Sequence, residues 1–242
     1  MDTQELMDEV CPRIRDVAWA YYFVPETVAR GRELGLEPEL FYVLGRGGVL
    51  GDVDAAVVHS AFGYFNPEKL DHEWNAARAV VAPRDAAAAY WECCADCGRN
   101  RFGAIEGLGA FVAAADAVNA AADPMGLALY AGARTMPLAD DAPARAMQLL
   151  ALLRELRGSA HLVAVRASGV DWKTAHFIKR PNDGPMFGWG DTPEISEADR
   201  ERWDVAEALT DDLVRPAYAI LDDDQAAAFI AGLGAVEQAF KG

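Results

Sequence analysis

The chain has 242 residues, 52% of them hydrophobic and 25% charged, with a formal net charge of −16. That length holds one large domain or two lobes sharing a core, and the balance is that of a folded chain rather than a disordered one. A field of this sign repels polyanions, so nucleic-acid binding is not expected.

Met1 to Val10 is acidic and lacks the basic start and apolar run of a secretory signal, so a cytoplasmic protein is expected. Alanine-rich composition favours helices. The pattern predicts a first helix over about Thr3 to Tyr22, closed by Val24-Pro25 because a residue before proline avoids the α region. A second, Glu26 to Leu34, stops at Gly35, and Pro38 opens a third through Leu44. Gly45 to Gly51 is too rich in glycine for a helix interior and predicts a tight turn. It lacks the GxxxxGK[ST] pattern of a phosphate loop, yet Arg46 within it is a candidate to reach a ligand carboxylate or phosphate.

Asp52 or Asp54 can cap a helix carrying Val57, Val58, Phe62 and Phe65, which Asn66-Pro67 should end. Helices over about Pro67 to Val80 and Pro83 to Cys97 follow. The second carries Cys93-Cys94-x-x-Cys97, but no second cysteine pair completes a four-ligand zinc site, so these read as buried, reduced thiols. Gly103 to Ala122 predicts a helix with a small-residue face; Glu106, Asp116 and Asn119 argue against a membrane span. A short helix, Met125 to Gly132, and a loop, Ala133 to Ala142, come next.

The strongest pattern starts at Pro143. Leu149, Leu150, Leu152, Leu153 and Leu156 recur at helical spacing, predicting a helix to about Ala167 that ends at Gly169. Asp171 to Lys179 is a shorter helix. Arg180 to Pro193 is a loop in which Gly184 and Gly188 give Phe187 and Trp189 freedom to form a lid over an apolar pocket. Two helices close the chain, about Ser196 to Leu221, which Pro216 should kink or split, and Asp223 to Phe240. The expectation is an all-α multi-helix bundle forming one domain over residues 1–242, with 1–140 and 141–242 as candidate lobes.

Four histidines are present, none at a metal-ligand spacing. His72, in Asp71-His72-Glu73, reads as surface. His59, among Val57, Val58 and Phe62, reads equally as core or pocket wall, and His176, beside Lys179 and Arg180, as surface or hinge. His161 stands out. Arg154, Arg157 and His161 are three and four residues apart and share one stripe of the leucine-rich helix. Gly158 among them costs roughly 1 kcal/mol relative to alanine, which suggests a close approach. A cationic stripe with an imidazole suits an anionic ligand or acid–base catalysis; the alternative is a buried ion-pair network that fixes helix packing.

Several runs recur in order in one known family: Tyr22-Phe23-Val24-Pro25-Glu26, Gly45 to Val53, Phe62-Gly63-Tyr64-Phe65-Asn66-Pro67, and above all Leu153 to His161. Over Tyr22 to Leu213 the chain resembles the SalK-like actinobacterial proteins, helical proteins described as helix-turn-helix-like and often found near natural-product gene clusters. The family usually has a histidine where Leu156 stands and an acid where Ser159 stands, so a site built on those groups is altered here. The resemblance implies a winged-helix-like C-terminal part, here shortened and degenerate before Glu207-Ala208-Leu209-Thr210-Asp211.

The functional expectation is a small-molecule tailoring enzyme of secondary metabolism without a cofactor, performing a condensation, cyclisation or isomerisation in an interhelical pocket. His161 would be the acid–base group and Glu26 its partner carboxylate. Arg46 and Arg157 would anchor an anion, with His59, Phe62, Tyr64, Phe187 and Trp189 around the substrate. The alternatives are a ligand-binding or regulatory protein derived from a winged-helix ancestor that no longer touches DNA, or a metal or haem binder through His59 or His161. The expected partner is a small molecule, with neither nucleic acid nor membrane, and a homodimer is open.

Overall fold

Asp2 and Glu5 each accept the other's backbone N–H, a reciprocal cap that opens helix α1 (Thr3–Val17). The helix stops short of the predicted Tyr22 because residues 18–23 turn inward: Tyr21 and Tyr22 are buried, and Thr27 Oγ1 donates to the Tyr21 carbonyl at 2.7 Å. The computed structural model describes residues 1–241, which form twelve α-helices and no strand. After α1 come α2 (Pro25–Glu33), α3 (Pro38–Gly47), α4 (Ala55–Phe62), α5 (Pro67–Arg78) and α6 (Pro83–Phe102). Then follow α7 (Leu108–Ala121), α8 (Ala128–Ala133), α9 (Ala142–Ser168), α10 (Trp172–Lys179), α11 (Glu197–Tyr218) and α12 (Asp223–Lys241). Proline in the first turn of α2, α3, α5, α6 and α9 supplies a helical φ where no N–H is needed.

The glycine segment is a correction. Helix α3 runs through Gly45, Arg46 and Gly47 and tightens into a 3-10 turn at Gly48–Leu50. A Cβ at Gly45 would lie 2.5 Å from the Tyr90 ring, and one at Gly48 only 2.0 Å from the Pro83 carbonyl oxygen. Gly45 and Gly48 are there for close approach of α3 to α6, Gly51 (φ 87°) makes the turn that ends the segment, and Arg46 rides on the helix before it.

Helix α4 ends at Phe62, before the predicted Asn66-Pro67, because Gly63 (φ 58°) and Tyr64 (φ 53°) both leave the helical region. A bulky residue in the left-handed region is uncommon. Glycine suits position 63 because its φ of 58° and ψ of −169° are a combination that residues with a Cβ rarely adopt. Helix α11 passes Pro216 without splitting, because that proline falls in its last turn.

Helix α9 is the axis. Asp141 caps it by accepting the Ala144 N–H, and Gly169 (φ 79°) ends it in the left-handed conformation. It packs against α6, α7, α11, α8 and α1, which is why its leucines are buried around most of the circumference. It feeds the main hydrophobic core, which draws on residues from Leu6 to Val236, as far as Ala160. From Leu162 onward it feeds a smaller cluster with Tyr64, Val170, Ala175 and Ala206. The C-terminal part is α10, a loop, α11 and α12, with no strand among the described residues. No helix among the described residues is long and apolar enough to cross a membrane.

Candidate functional site

Where α9 passes from one apolar cluster to the other, a cavity of about 470 Å³ opens. Its walls come from α1, α3, the turn after α4, α9, the end of α10, Phe187 of the following loop, and α11. Among its lining residues are six cations, Arg15, Arg46, Arg154, Arg157, Lys179 and Arg180, against two carboxylates, Glu155 and Glu207. The inner surface is thus cationic in a chain whose net charge is −16.

His161 is the best-defined group in it. The ring is 2% exposed, and its Nδ1 lies 2.8 Å from Thr210 Oγ1. Thr210 donates its only proton to the Ala206 carbonyl at 2.6 Å, so its oxygen must accept from His161. This network assigns the proton to Nδ1 and leaves a lone pair on Nε2, which is buried without a hydrogen-bond partner. Burial, and then the charges of Lys179, Arg157 and Arg180, push this imidazole down to about 2, so it is neutral at physiological pH. Trp203 meets its ring edge-on at 5.0 Å between centroids, and Tyr64 stacks at 6.3 Å.

Glu207 faces His161 from α11. Its Oε1 lies 3.7 Å from His161 Nε2 and 3.9 Å from Lys179 Nζ, both beyond hydrogen-bond length, while its Oε2 accepts from Arg157 Nη2 at 3.1 Å. Arg157 also holds Asp211 at 2.8 Å. Burial pushes the Lys179 amine down; the Glu207 charge opposes that and Arg180, Arg157 and Arg15 reinforce it, leaving the amine at about 8.

A second network sits deeper. Arg46 clamps Glu155 through two hydrogen bonds of 2.8 Å, and Arg154 reaches the same carboxylate at 3.0 Å and the Tyr22 hydroxyl at 2.8 Å. Burial alone would raise the Glu155 carboxyl, but Arg46 and then Arg154 hold it below its usual value. Arg46 also lies over the Phe62 ring at 4.3 Å. Here the buried ion-pair alternative describes both arginines of the stripe: Arg154 joins Arg46 of α3 on Glu155, and Arg157 ties α9 to Glu207 and Asp211 of α11.

Native proteins pair nearly all their buried polar groups, so the exceptions are informative. Tyr64 Oη, Arg154 Nε, Ser159 Oγ, His161 Nε2 and Arg180 Nη1 are all buried without a partner, and all five residues line this one cavity. Arg180 lies over both the Tyr64 and Phe187 rings at 5.4 Å. Burial raises the Tyr64 hydroxyl, keeping it protonated and able to donate.

Of the residues singled out in the sequence, Arg46, Phe62, Tyr64, Arg157, His161 and Phe187 line the cavity. Glu26 does not: it is exposed, at a separate pocket of about 250 Å³ beside Arg30, Cys93 and Cys97. The carboxylate near His161 is Glu207 instead, because α11, and not α2, packs along that stretch of α9. His59 turns away, its Nε2 3.0 Å from the Phe65 carbonyl. Trp189 is an anchor rather than a wall: its Nε1 donates to the Tyr64 carbonyl at 2.7 Å, and the Phe187 carbonyl accepts from Asn66 N at 2.8 Å. Gly158 makes no close approach, since nothing lies within 4 Å of an added Cβ; it opens onto the cavity.

His176, expected at the surface or a hinge, is fully buried, and its neighbours Lys179 and Arg180 line the cavity. The missed partners, Glu207, Thr210 and Asp211, follow helical spacing, and that polar i, i+3, i+4 set was the available signal. The thiols of Cys93, Cys94 and Cys97 are all raised by burial, and Cys11 lines the cavity. Among the described residues no group of three or more His, Cys, Asp or Glu is placed to hold a metal.

Residues 8–190 match the profile of a helix-turn-helix family, a span that covers the walls contributed by α1 to α10 and stops before α11. No curated protein and no solved structure matches the chain.

Proposed function

The chain belongs to this helix-turn-helix family, and from that premise we propose that its cavity binds a small organic acid and moves a proton on it, without a cofactor. The observation that carries this reading is the free Nε2 lone pair of His161, fixed by Thr210 and enclosed among cations. Arg180 and Arg154 each keep an unpartnered N–H for an anion, and the neighbouring aromatic faces suit an apolar or aromatic body.

The electrostatics couple binding to basicity. Without a ligand, burial and then the charges of Lys179, Arg157 and Arg180 hold His161 neutral. A bound anion offsets those charges, so the imidazole becomes a stronger base when a substrate is present. Tyr64, with its protonated hydroxyl, is the candidate donor to the opposite face. Proton removal, proton return and enforced proximity suffice for an isomerisation, cyclisation or condensation. The Leu153 to His161 run, through its likeness to SalK-like proteins, supports a place in natural-product chemistry.

Nitrogen NMR of the imidazoles tests the reading with benzoate as the probe. The expected result is an Nδ1–H tautomer for His161 and an upward move of its titration on adding benzoate; an Nε2–H tautomer indifferent to benzoate would sink the proposal. On the natural substrate, His161→Ala should lower turnover roughly 10²–10⁴-fold. A lower melting temperature with unchanged activity per folded molecule would assign His161 to structure alone.

Family membership favours one other reading, a regulator that senses the same ligand. The basic run His176 to Arg180 counts against DNA contact in that role, because His176 is buried and Lys179 and Arg180 face the cavity. Benzoate binding with no turnover of any carbonyl acid tried would favour the regulator.

A further inference from the structure

Lys179 differs from every other lysine in the chain. There are four: Lys69, Lys173, Lys179 and Lys241. Lys69 is paired with Glu73, Lys173 binds Asp191 at 2.8 Å, and Lys241 is exposed at the end of α12. Lys179 Nζ makes no hydrogen bond; its ion-pair partner is Glu207 Oε1 at 3.9 Å, and it lies over the Trp203 ring at 5.5 Å. It projects into the cationic cavity beside Arg157 and Arg180. An amine in that setting sheds its proton more readily than a surface lysine, which is how enzymes make lysine a nucleophile.

We propose that Lys179 forms an imine with an aldehyde or ketone that also carries an acid group, so that the substrate class is an oxo acid. This rests on the proposed function, since the acid group must be held by the cavity's free cationic N–H groups. The unprotonated Nζ attacks the carbonyl carbon, and the C=O π pair moves to oxygen, which takes a proton from solvent water. The nitrogen loses a proton to Glu207 Oε1, the carboxylate oxygen that faces both Lys179 and His161. Returning that proton to the hydroxyl releases water as the nitrogen lone pair closes the C=N bond; amine, carbonyl and the one proton drawn from solvent thus become an iminium and water. The iminium acidifies the neighbouring C–H, and the His161 Nε2 lone pair is the base in reach of the same space.

Three groups of charges face the amine: Arg15 on α1, Arg157 and neutral His161 on α9, and Glu207 on α11, with Arg180 next to it in the chain. Four of these, Arg15, Arg157, Arg180 and Glu207, carry charge at neutral pH, and only Glu207 favours the ammonium form.

The test is reductive trapping of the intact protein at about pH 7.5 with 4-carboxybenzaldehyde and borohydride, followed by peptide mapping. Hydride adds to the imine carbon and fixes the adduct. Lys179 should be modified at least about tenfold faster than Lys69, Lys173 or Lys241, because it alone of the four projects into the cationic cavity. Benzaldehyde, which lacks the acid, should lose this preference, and benzoate should slow labelling at Lys179 alone. The Met1 amine, outside the cavity, serves as the internal standard for both aldehydes. Lys179→Arg should abolish the cavity adduct while keeping the cation.

Labelling of Lys179 no faster than the other lysines overturns the proposal. If benzoate still raises the melting temperature in that case, the imine fails and the acid-binding function stands. If benzoate has no effect on melting or labelling, both fall. Fast labelling of Lys179 that is equal for the two aldehydes overturns the oxo-acid assignment.

Discussion

Thr210 donates to a backbone carbonyl, which leaves it only an acceptor for His161. His176 is neutral for the same physical reason as His161: burial, and then the Arg180 charge, push it down to about 4, and neither ring nitrogen has a partner. Both imidazoles therefore titrate below the ordinary value near 6.5 that they regain on unfolding. Between about pH 6.5 and 4 the unfolded chain binds more protons at both positions, and at His161 this continues down to about pH 2, so each contribution is complete above about 6.5 and lost as pH falls through the window of its own group. Each imidazole should remove about 1.4 kcal/mol of stability per pH unit once well below its unfolded value. Urea unfolding at pH 7, 6 and 5 measures this, and His176→Leu should roughly halve the loss between pH 6 and 5. Parallel losses in wild type and variant would contradict the assignment. Glu155, held below its usual value by Arg46, adds acid sensitivity in the same direction at lower pH.

Helix α9 was legible because its determinants are local. Leucine spacing, the Asp141 cap and the terminal Gly169 all lie within the segment, and the predicted Pro143 to Ala167 became Ala142–Ser168. The glycines of α3 were misread because their reason is remote: Tyr90 and Pro83 lie on α6, some forty residues away, and nothing near Gly45 announces them. Two substitutions separate these uses of glycine. Gly48→Ala drives a Cβ into the Pro83 carbonyl and should cost about 1–3 kcal/mol or more, as overpacking does. Gly158→Ala meets no atom within 4 Å and should gain up to about 1 kcal/mol from helix propensity while placing a methyl group at the cavity. Urea midpoints read both, and weaker benzoate binding by the more stable Gly158→Ala protein is the expected companion result.

Charge is divided between inside and outside. With six cations lining the cavity and a net charge of −16, the outer surface is more acidic than composition alone suggests. Nonspecific DNA binding depends on cations that replace phosphate counterions. The protein should give no salt-sensitive shift of duplex DNA at about 0.15 M salt, in spite of its helix-turn-helix family, with fluorescence anisotropy as the readout. A shift at micromolar protein that weakens with salt would contradict this and turn attention to the regulatory reading.

By itself the sequence determined the helical class, the acidic field, the central helix and the Arg154, Arg157 and His161 stripe, because composition sums and 3.6-residue periodicity are local properties. Only the tertiary structure decided which carboxylate faces His161, Glu207 rather than Glu26, and that Arg46 is committed to Glu155. It also decided that Lys179 and Arg180 turn inward. These are matters of which helix faces pack together, and a side chain's charge, tautomer and reactivity follow from the neighbours that packing brings, often from a hundred residues away, as with Arg46 and Glu155.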